Sequence, residues 1–440
     1  MKKSLLVVAH GSRRQASNDE VRALTEACTT CGRCVDVCPV AGEAGVANED
    51  AELIVSSVLD LINTGKALTD AANRWIEHCN GCGACIDECP ESVNPRRLLM
   101  FAQCAKSATG DGVDQVFRKL AKAVRLMAAM QLPPDTLSKL FNHRFDGQPD
   151  VIFYTGCNAL RTPHVLLNAM QILEALEVNF QVAGGPANCC GIAHTRTEGK
   201  IAGGGQVMGS TMVRFETSGA KQVLSWCPSC QLQMGETWDG FTKRSYELDH
   251  ISSFLVEHSA ELVKRFVKPS TRKVVLHAHQ GLREFGEHVE NILRAIPGIN
   301  FVETVFETGY TCGVASSGRS PELTGDDRKR LKRTVDDANA DTVVTLYHSC
   351  HRSITDEAAD WDVDVINFTD LVVDALGRDP YKDAYQELQG LTPDAVWEHA
   401  QDVLKDNGVK VDQAWMRENF EDLWSMAEYR GGLNCLVSQS

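Results

Sequence analysis

The segment Cys28-Thr29-Thr30-Cys31-Gly32-Arg33-Cys34-Val35-Asp36-Val37-Cys38-Pro39 returns, with the same spacing, as Cys79-Asn80-Gly81-Cys82-Gly83-Ala84-Cys85-Ile86-Asp87-Glu88-Cys89-Pro90. Both copies read Cys-x2-Cys-x2-Cys-x3-Cys-Pro, an internal repeat. Three thiolates within one turn of backbone can grip three corners of a [4Fe–4S] cubane. The fourth cysteine of such a run typically ligates the other cluster of a two-cluster fold. That rule gives Cys28, Cys31, Cys34 and Cys89 to one cluster and Cys79, Cys82, Cys85 and Cys38 to the other. Four thiolates also suit Zn²⁺, so a pair of zinc sites is the competing reading. Eight cysteines with both prolines favour iron, and two cubanes close together in one small fold make an electron wire rather than a reaction site.

Both runs match the ligand run of a bacterial-type ferredoxin. Outside them the chain is ordinary in composition. It has 440 residues, 43% hydrophobic and 23% charged, which excludes disordered and fibrous classes. No apolar run approaches the roughly 20 residues of a membrane-spanning helix. The start Met1-Lys2-Lys3 is followed by only Leu5 to Ala9 before His10-Gly11, too short for a signal peptide, so a cytoplasmic location is expected. A net charge of −15 argues against nucleic acid, whose binding needs Lys and Arg against phosphates. Seventeen cysteines in such a protein point to metal or redox chemistry rather than to a disulfide framework.

Between the two runs, Leu53, Ile54, Val58, Leu59, Leu61 and Ile62 recur at helical spacing, and Gly65 stands where that helix should end. A second helical stretch is broken at Pro133-Pro134. Beyond it the texture changes to short apolar strands alternating with helices. Val151 to Tyr154 enters Gly156-Cys157, Val223 to Trp226 enters Cys227, Val274 to Leu276 enters His277, and Thr342 to Leu346 enters Tyr347. A strand with a chemistry-bearing residue at its carboxyl end, then a helix, is the signature of parallel α/β units. The expected fold class is α/β with an N-terminal α-helical two-cluster module, two pseudo-symmetric α/β halves and a helical tail. Its expected divisions are a leader over 1–24, the module over 25–110, a helical linker over 111–148, halves over 149–268 and 269–376, and the tail over 377–440. The leader should hold a strand at Leu5 to Val8 and a helix capped near Ser17-Asn18-Asp19; the tail offers Trp397, Trp415 and Trp424 for docking.

The first half carries a second cysteine set: Cys157, then Cys189-Cys190-Gly191, then Cys227-Pro228-Ser229-Cys230. This pattern resembles the CCG domain of the heterodisulfide reductase family. A ferredoxin module followed by CCG domains is the layout of that family's catalytic subunits, and the iron–sulfur subunits of glycolate oxidase and anaerobic glycerol-3-phosphate dehydrogenase share it. The resemblance implies that Cys157, Cys189, Cys190, Cys227 and Cys230 hold a further [4Fe–4S] cluster of noncubane type that can bind a substrate sulfur. Five soft ligands exceed what one cubane needs, and adjacent cysteines sit awkwardly on one cubane, so an open cluster is reasonable. Gly191 permits the turn after the pair. An ordinary cubane, or zinc with a spare thiol, remains the alternative. The resemblance also implies a flavoprotein or cytochrome b redox partner, a small thiol or disulfide substrate, and membrane association only through a partner. The function it implies is an oxidoreductase that passes electrons from the cubanes to the third cluster to reduce a disulfide or oxidise thiols. The rival is a pure electron relay from a flavoprotein dehydrogenase to quinone or another carrier.

The second half departs from the family pattern. Thr311-Cys312-Gly313 stands in place of a Cys-Cys-Gly, Tyr347-His348-Ser349-Cys350-His351 in place of the final Cys-x-x-Cys, and His277-Ala278-His279 in place of the leading cysteine. Either this half is structural, or Cys312 and Cys350 with histidines form a metal or substrate site. Arg161, His164, His194 and Arg196 flank the first-half cysteines and are candidates for proton donation or anion binding, His164 and His194 being taken as catalytic. Gly184-Gly185-Pro186 and Gly203-Gly204-Gly205 match no nucleotide fingerprint and are expected to be turns or close approaches, so no flavin or nicotinamide is expected. The opening Leu5 to Arg13 is similar to the start of a small sirohydrochlorin chelatase, over too short a span to act as one. Cys104 and Cys435 are expected to be buried apolar thiols.

Overall fold

A computed structural model describes residues 12–109, 116–142, 144–145, 147–238, 244–311 and 317–406, together with 414, 417 and 420. The expected strand at Leu5 to Val8, Cys312, Trp415, Trp424 and Cys435 lie outside the described residues.

The repeat module is closed by three helices. Helix Ala51–Thr64 begins at Asp50, whose side chain accepts from Leu53 N–H at 3.1 Å, and ends on Gly65 at φ 71°, where an L side chain would be strained. Its Ile54, Val55, Val58 and Ile62 pack against Trp75 and Ile76 of helix Asp70–His78 and against Leu98, Leu99 and Phe101 of helix Pro95–Thr109. Leu53 is a correction to the apolar pattern: it lies in the first turn and is 64% exposed. The first described helix is a second correction. It runs Ser12–Ala27, so Ser17-Asn18-Asp19 lie inside it rather than at its cap. Arg13, Arg14, Gln15 and Ala16 all favour helix, so nothing stops the backbone from starting earlier.

The α/β part holds two four-stranded parallel sheets. In the first, β1 (Val151–Gly156), β2 (Phe180–Gly184), β3 (Gln222–Ser225) and β4 (Glu247–His250) lie in the order β2-β1-β3-β4. In the second, β5 (Lys273–His279), β6 (Asn300–Glu307), β7 (Thr342–Thr345) and β8 (Asp364–Asn367) lie in the order β6-β5-β7-β8. Residues 151–156 are buried throughout, as strands covered on both faces must be. The last strand of each sheet ends in a residue that caps the following helix: His250 accepts from Ser252 N–H at 3.2 Å, and Asn367 from Thr369 N–H at 3.2 Å. The two sheets share one core, where Trp226 stacks on Phe368 at 5.9 Å and His250 on Phe285 at 4.2 Å.

The Pro133-Pro134 break separates helix Val116–Gln131 from helix Pro134–Leu140. The tail helices Ala384–Gln389 and Pro393–Asp406 dock on the first of these through Tyr385, Leu388, Val396, Ala400 and Leu404 against Met127 and Met130. Trp397 is half-buried against Phe420, at 5.2 Å. Among the described residues no helix is long and apolar enough to cross a membrane.

Helix Pro95–Thr109 ties the repeat module to the first sheet. Arg97 is buried in a bidentate pair with Glu20 of the first helix, its Nη2 3.0 Å from Glu20 Oε2, and its Nη1 donates to Gln233 Oε1 at 3.1 Å. Burial pushes the Glu20 carboxyl up, and the Arg97 guanidinium opposes that shift. Glu20→Ala would strand a buried guanidinium, and breaking such a pair costs about 3–5 kcal/mol. A corresponding fall in the urea midpoint of the anaerobic protein is expected for this variant. An exposed pair such as Lys66–Asp60, cut in the same way, should lower the stability by less than about 1 kcal/mol.

Candidate functional site

The eight repeat cysteines line two adjoining cavities. Cys28, Cys31, Cys34 and Cys89 face one, with Val55, Val93 and Leu98 behind them. Cys38, Cys79, Cys82 and Cys85 face the second, and Cys34 touches both. Each run thus turns three cysteines to one cavity and its fourth to the other. Burial, then the neighbouring thiols, push Cys34 and Cys38 up to about 12. Such thiols stay protonated unless a cation replaces the proton, so metal binding here releases protons. The donor set and the apolar walls fit iron–sulfur clusters. Trp75 Nε1–H donates to Cys38 Sγ at 3.3 Å, a hydrogen bond of the kind that tunes a cluster's potential.

The second cysteine set gathers at the carboxyl ends of the first sheet. Cys157 follows β1, the Cys189-Cys190 pair follows β2, and Cys227 and Cys230 follow β3. Because β1 lies between β2 and β3, the three loops meet. All five thiols are at most 7% exposed. They form a run of side-chain contacts from Cys157 to Cys189, Cys190, Cys230 and Cys227. Hydrogen bonds from Cys157 and Cys190 hold Cys189 well below the usual thiol range, and Cys230 with the Cys230 and Ser229 N–H groups lowers Cys227. Donating to a neighbouring thiol first, then burial and the repulsion of the other thiols, pushes Cys157, Cys190 and Cys230 up. Two glycines make room: Gly156 at φ 72°, where a Cβ would meet Cys230 Sγ at 3.0 Å, and Gly191 at φ 80°, where a Cβ would meet Gly204 O at 2.3 Å. Gly203-Gly204-Gly205, expected as a turn, lies within helix Ile201–Ser218, and its close approach is to this motif. Gly184 and Gly185 are instead approached by Leu140 and Phe141 of the linker.

A π-helical turn, Ala193–Thr197, joins the two cysteine sites. Its Arg196 donates to Cys79 O at 3.3 Å and to Tyr310 Oη at 3.0 Å, and also bonds Gln103. Tyr310 packs on Gly81, where a Cβ would stand 2.6 Å from the ring. Arg196 therefore spans from the Cys189-Cys190 turn to the Cys79 loop. His194 lies near Cys189, with its Nδ1 2.9 Å from Glu198 Oε2 and its ring against Phe117.

The structure gives His164 different neighbours. It is buried beside His351 and Asp383, with its Nδ1 3.3 Å from Asp383 Oδ1. His351 Nε2–H donates to the same carboxylate at 2.6 Å. Arg161 and Arg352 lie close by, both buried and both next to His348 and Tyr385. In the second half, His279 Nε2 and Cys350 Sγ are 3.1 Å apart, and His277 Nε2–H donates to Glu307 Oε2 at 2.9 Å. Burial would raise Glu307, but Arg328, at 2.6 Å, and the imidazoles hold its carboxyl below the usual range. Cys104 is buried in helix Pro95–Thr109. Sequence reasoning missed Tyr154, which donates to Asn188 O at 2.7 Å and Cys230 Sγ at 3.5 Å, and also Glu307, Arg328, Tyr310 and Asp383. No motif marks any of them; only Tyr154, at the carboxyl end of the strand expected from Val151 to Tyr154, carried a positional cue.

Two outcomes test this geometry. Gly156→Ala, which strains the backbone and crowds Cys230, is expected to lower the iron held by the five-thiol set while leaving the dicluster signals intact, by iron analysis and EPR. His164 is pushed down to about 4, by burial first, from an ordinary value of 6.5. The unfolded chain then takes up the proton first, so His164's contribution to stability is present above about pH 6.5 and is lost as pH falls toward 4. Between pH 7 and pH 5, the melting temperature of His164→Asn should fall less steeply than that of the parent.

Residues 20–90 match the 4Fe-4S dicluster domain family and residues 151–235 the cysteine-rich CCG domain family. A component of the dihydromethanophenazine:CoB–CoM heterodisulfide reductase of Methanosarcina barkeri is 24% identical, over 80% of this chain and 94% of that protein. A component of the fumarate reductase (CoM/CoB) of Methanothermobacter marburgensis is 25% identical, over 80% of this chain and 72% of its own length. An uncharacterized iron–sulfur protein of Methanocaldococcus jannaschii is 23% identical, over 82% and 74%. With both cysteine sets inside the matched domains, the chain is a heterodisulfide reductase-like iron–sulfur protein.

Proposed function

We propose that this chain is an iron–sulfur electron-transfer subunit of a heterodisulfide reductase-type complex, and that it carries the reacting site. The observation that carries the reading is the convergence of five buried thiols at one sheet end, joined by Arg196 to the loop of Cys79. Cys28, Cys31, Cys34 and Cys89 would hold one cubane [4Fe–4S] cluster, and Cys79, Cys82, Cys85 and Cys38 the other. Cys157, Cys189, Cys190, Cys227 and Cys230 would hold a third, of noncubane type. The bound clusters would supply one-electron transfer and a soft site for sulfur. Reduction of a disulfide takes two electrons and two protons and yields two thiols; the reverse oxidises a thiol pair. His194, held by Glu198 beside Cys189, would hold or pass one of those protons. His164, buried against Asp383, would act on the site only through its neighbours.

The second half reads as a degenerate copy of the first. Its strand order is the same. His277 with His279 end the strand corresponding to the one that precedes Cys157, and Cys350 follows the strand corresponding to the one that precedes Cys227. Cys312 and Cys350 would be its remaining metal-binding thiols. A second reading, a relay between a flavoprotein dehydrogenase and quinone or another carrier, is favoured by that loss of thiols from one side. A flavoprotein or cytochrome b would be the redox partner in a cytoplasmic complex held at the membrane, if at all, by that partner.

Low-temperature EPR with iron analysis on the anaerobic protein separates the two. About twelve irons per chain, with a signal that shifts when a thiol is added and is lost in Cys189→Ser, is expected for the reductase. Twelve irons with no response to thiols or disulfides would make the chain a relay.

A further inference from the structure

We propose that the carboxyl end of the second sheet holds a single zinc-class divalent ion on His277, His279 and Cys350, distinct from the iron–sulfur sites and independent of the reductase reading. One donor atom from each residue lies within 4.8 Å of the other two, and all three side chains are at most 1% exposed. Tetrahedral zinc with bonds of about 2.0–2.3 Å places its ligand atoms roughly 3.3–3.8 Å apart. The His279 Nε2–Cys350 Sγ separation of 3.1 Å is within a few tenths of an ångström of that. The two imidazoles meet edge to face, with centroids 4.9 Å apart, rather than stacking.

The surroundings resemble those of a metal ligand rather than a core histidine. Glu307 accepts from His277 Nε2–H, and Arg328 anchors the same carboxylate oxygen at 2.6 Å. A carboxylate on the far nitrogen fixes a ligating histidine's tautomer and orientation. With Nε2 engaged by Glu307, Nδ1 is the nitrogen His277 offers. All three ligands stand at strand ends or just beyond: His277 and His279 on β5, and Cys350 in the first turn of helix His348–Glu357 after β7. Two imidazoles and one thiolate suit zinc better than an iron–sulfur cluster, which takes its grip from thiolates. Three protein ligands leave one tetrahedral position for water or an external thiolate. Tyr347 stands between this site and the first: its ring stacks with His279 at 6.3 Å, and it lies beside both Cys350 and Cys227.

The test uses full-length protein purified anaerobically, incubated with one equivalent of zinc sulfate and dialysed, then analysed for zinc and iron and by zinc-edge X-ray absorption. About one zinc per chain, in a shell of two imidazole nitrogens and one sulfur, is expected. Cys350→Ser and His279→Gln should each remove most of that zinc with iron content and cluster EPR unchanged, which also shows that the variants fold. The proposal is overturned if the parent retains no zinc, or if zinc stays at full occupancy in both variants. An all-sulfur shell in the parent, which would place zinc on the cysteine clusters, overturns it without need of any variant. The iron-based test of the reductase reading can fail while this one succeeds, because neither readout depends on the other.

Discussion

Parallel strands cannot be joined by tight hairpins; each connection must cross the sheet, usually through a helix, and return to the same end. That constraint places the loops after β1, β2 and β3 side by side, and after β5, β6 and β7 likewise. Everything chemical in the α/β part follows from it. Cysteines separated by scores of residues become neighbours because β1 is central and its two partners flank it. The same topology in the second sheet brings His277 and His279 to Cys350. One arrangement of backbone thus offers two sites, and the side chains at the strand ends decide what each can hold.

Burial gives both sites their character. A lone buried thiol is an inert apolar group, but several crowded together cannot all ionise without a cation among them. The run of contacts from Cys157 to Cys227 expresses this: Cys189 and Cys227 are driven down while Cys157, Cys190 and Cys230 are driven up. In the second site imidazoles replace most of the sulfur, and neutral imidazole costs less to bury than thiolate. The carboxylate of Glu307 is compensated by Arg328.

Arginines hold the domains together as well as neutralising charge. Arg96 bonds Glu236 at 2.6 Å, Arg97 joins Glu20 to Gln233, and Arg196 reaches from the Cys189-Cys190 turn to the Cys79 loop. A guanidinium suits such a task because its fork of donors can serve several acceptors at once. The helix Pro95–Thr109 supplies the first two and receives the third through Gln103. The eight-cysteine module therefore meets the first sheet through polar contacts in fixed register, and Tyr310 on Gly81 adds a contact from the second.

The sequence alone determined the parts that depend on local spacing. Cys-x2-Cys-x2-Cys-x3-Cys-Pro fixes which thiols one turn of backbone can present together, and its doubling announced two cavities. Short apolar runs leading to Gly156, Cys227 or His277 announced strands with chemistry at their ends. Helix Ala51–Thr64 was legible from its period and from Gly65, though Leu53 was not distinguishable from the buried face. The start of helix Ser12–Ala27 was misplaced because good cap residues inside a helix look the same as caps at its end. Only tertiary structure decided which distant residues meet. Tyr154, Glu307, Arg328 and Tyr310 have no motif, since their roles arise from partners tens to hundreds of positions away. His164 was read as a neighbour of Cys157 by sequence proximity, yet folding turned it to Asp383 of the tail. Spacing along the chain governs what a single turn can grip; what faces it across a core is set by the packing of elements that no local pattern records.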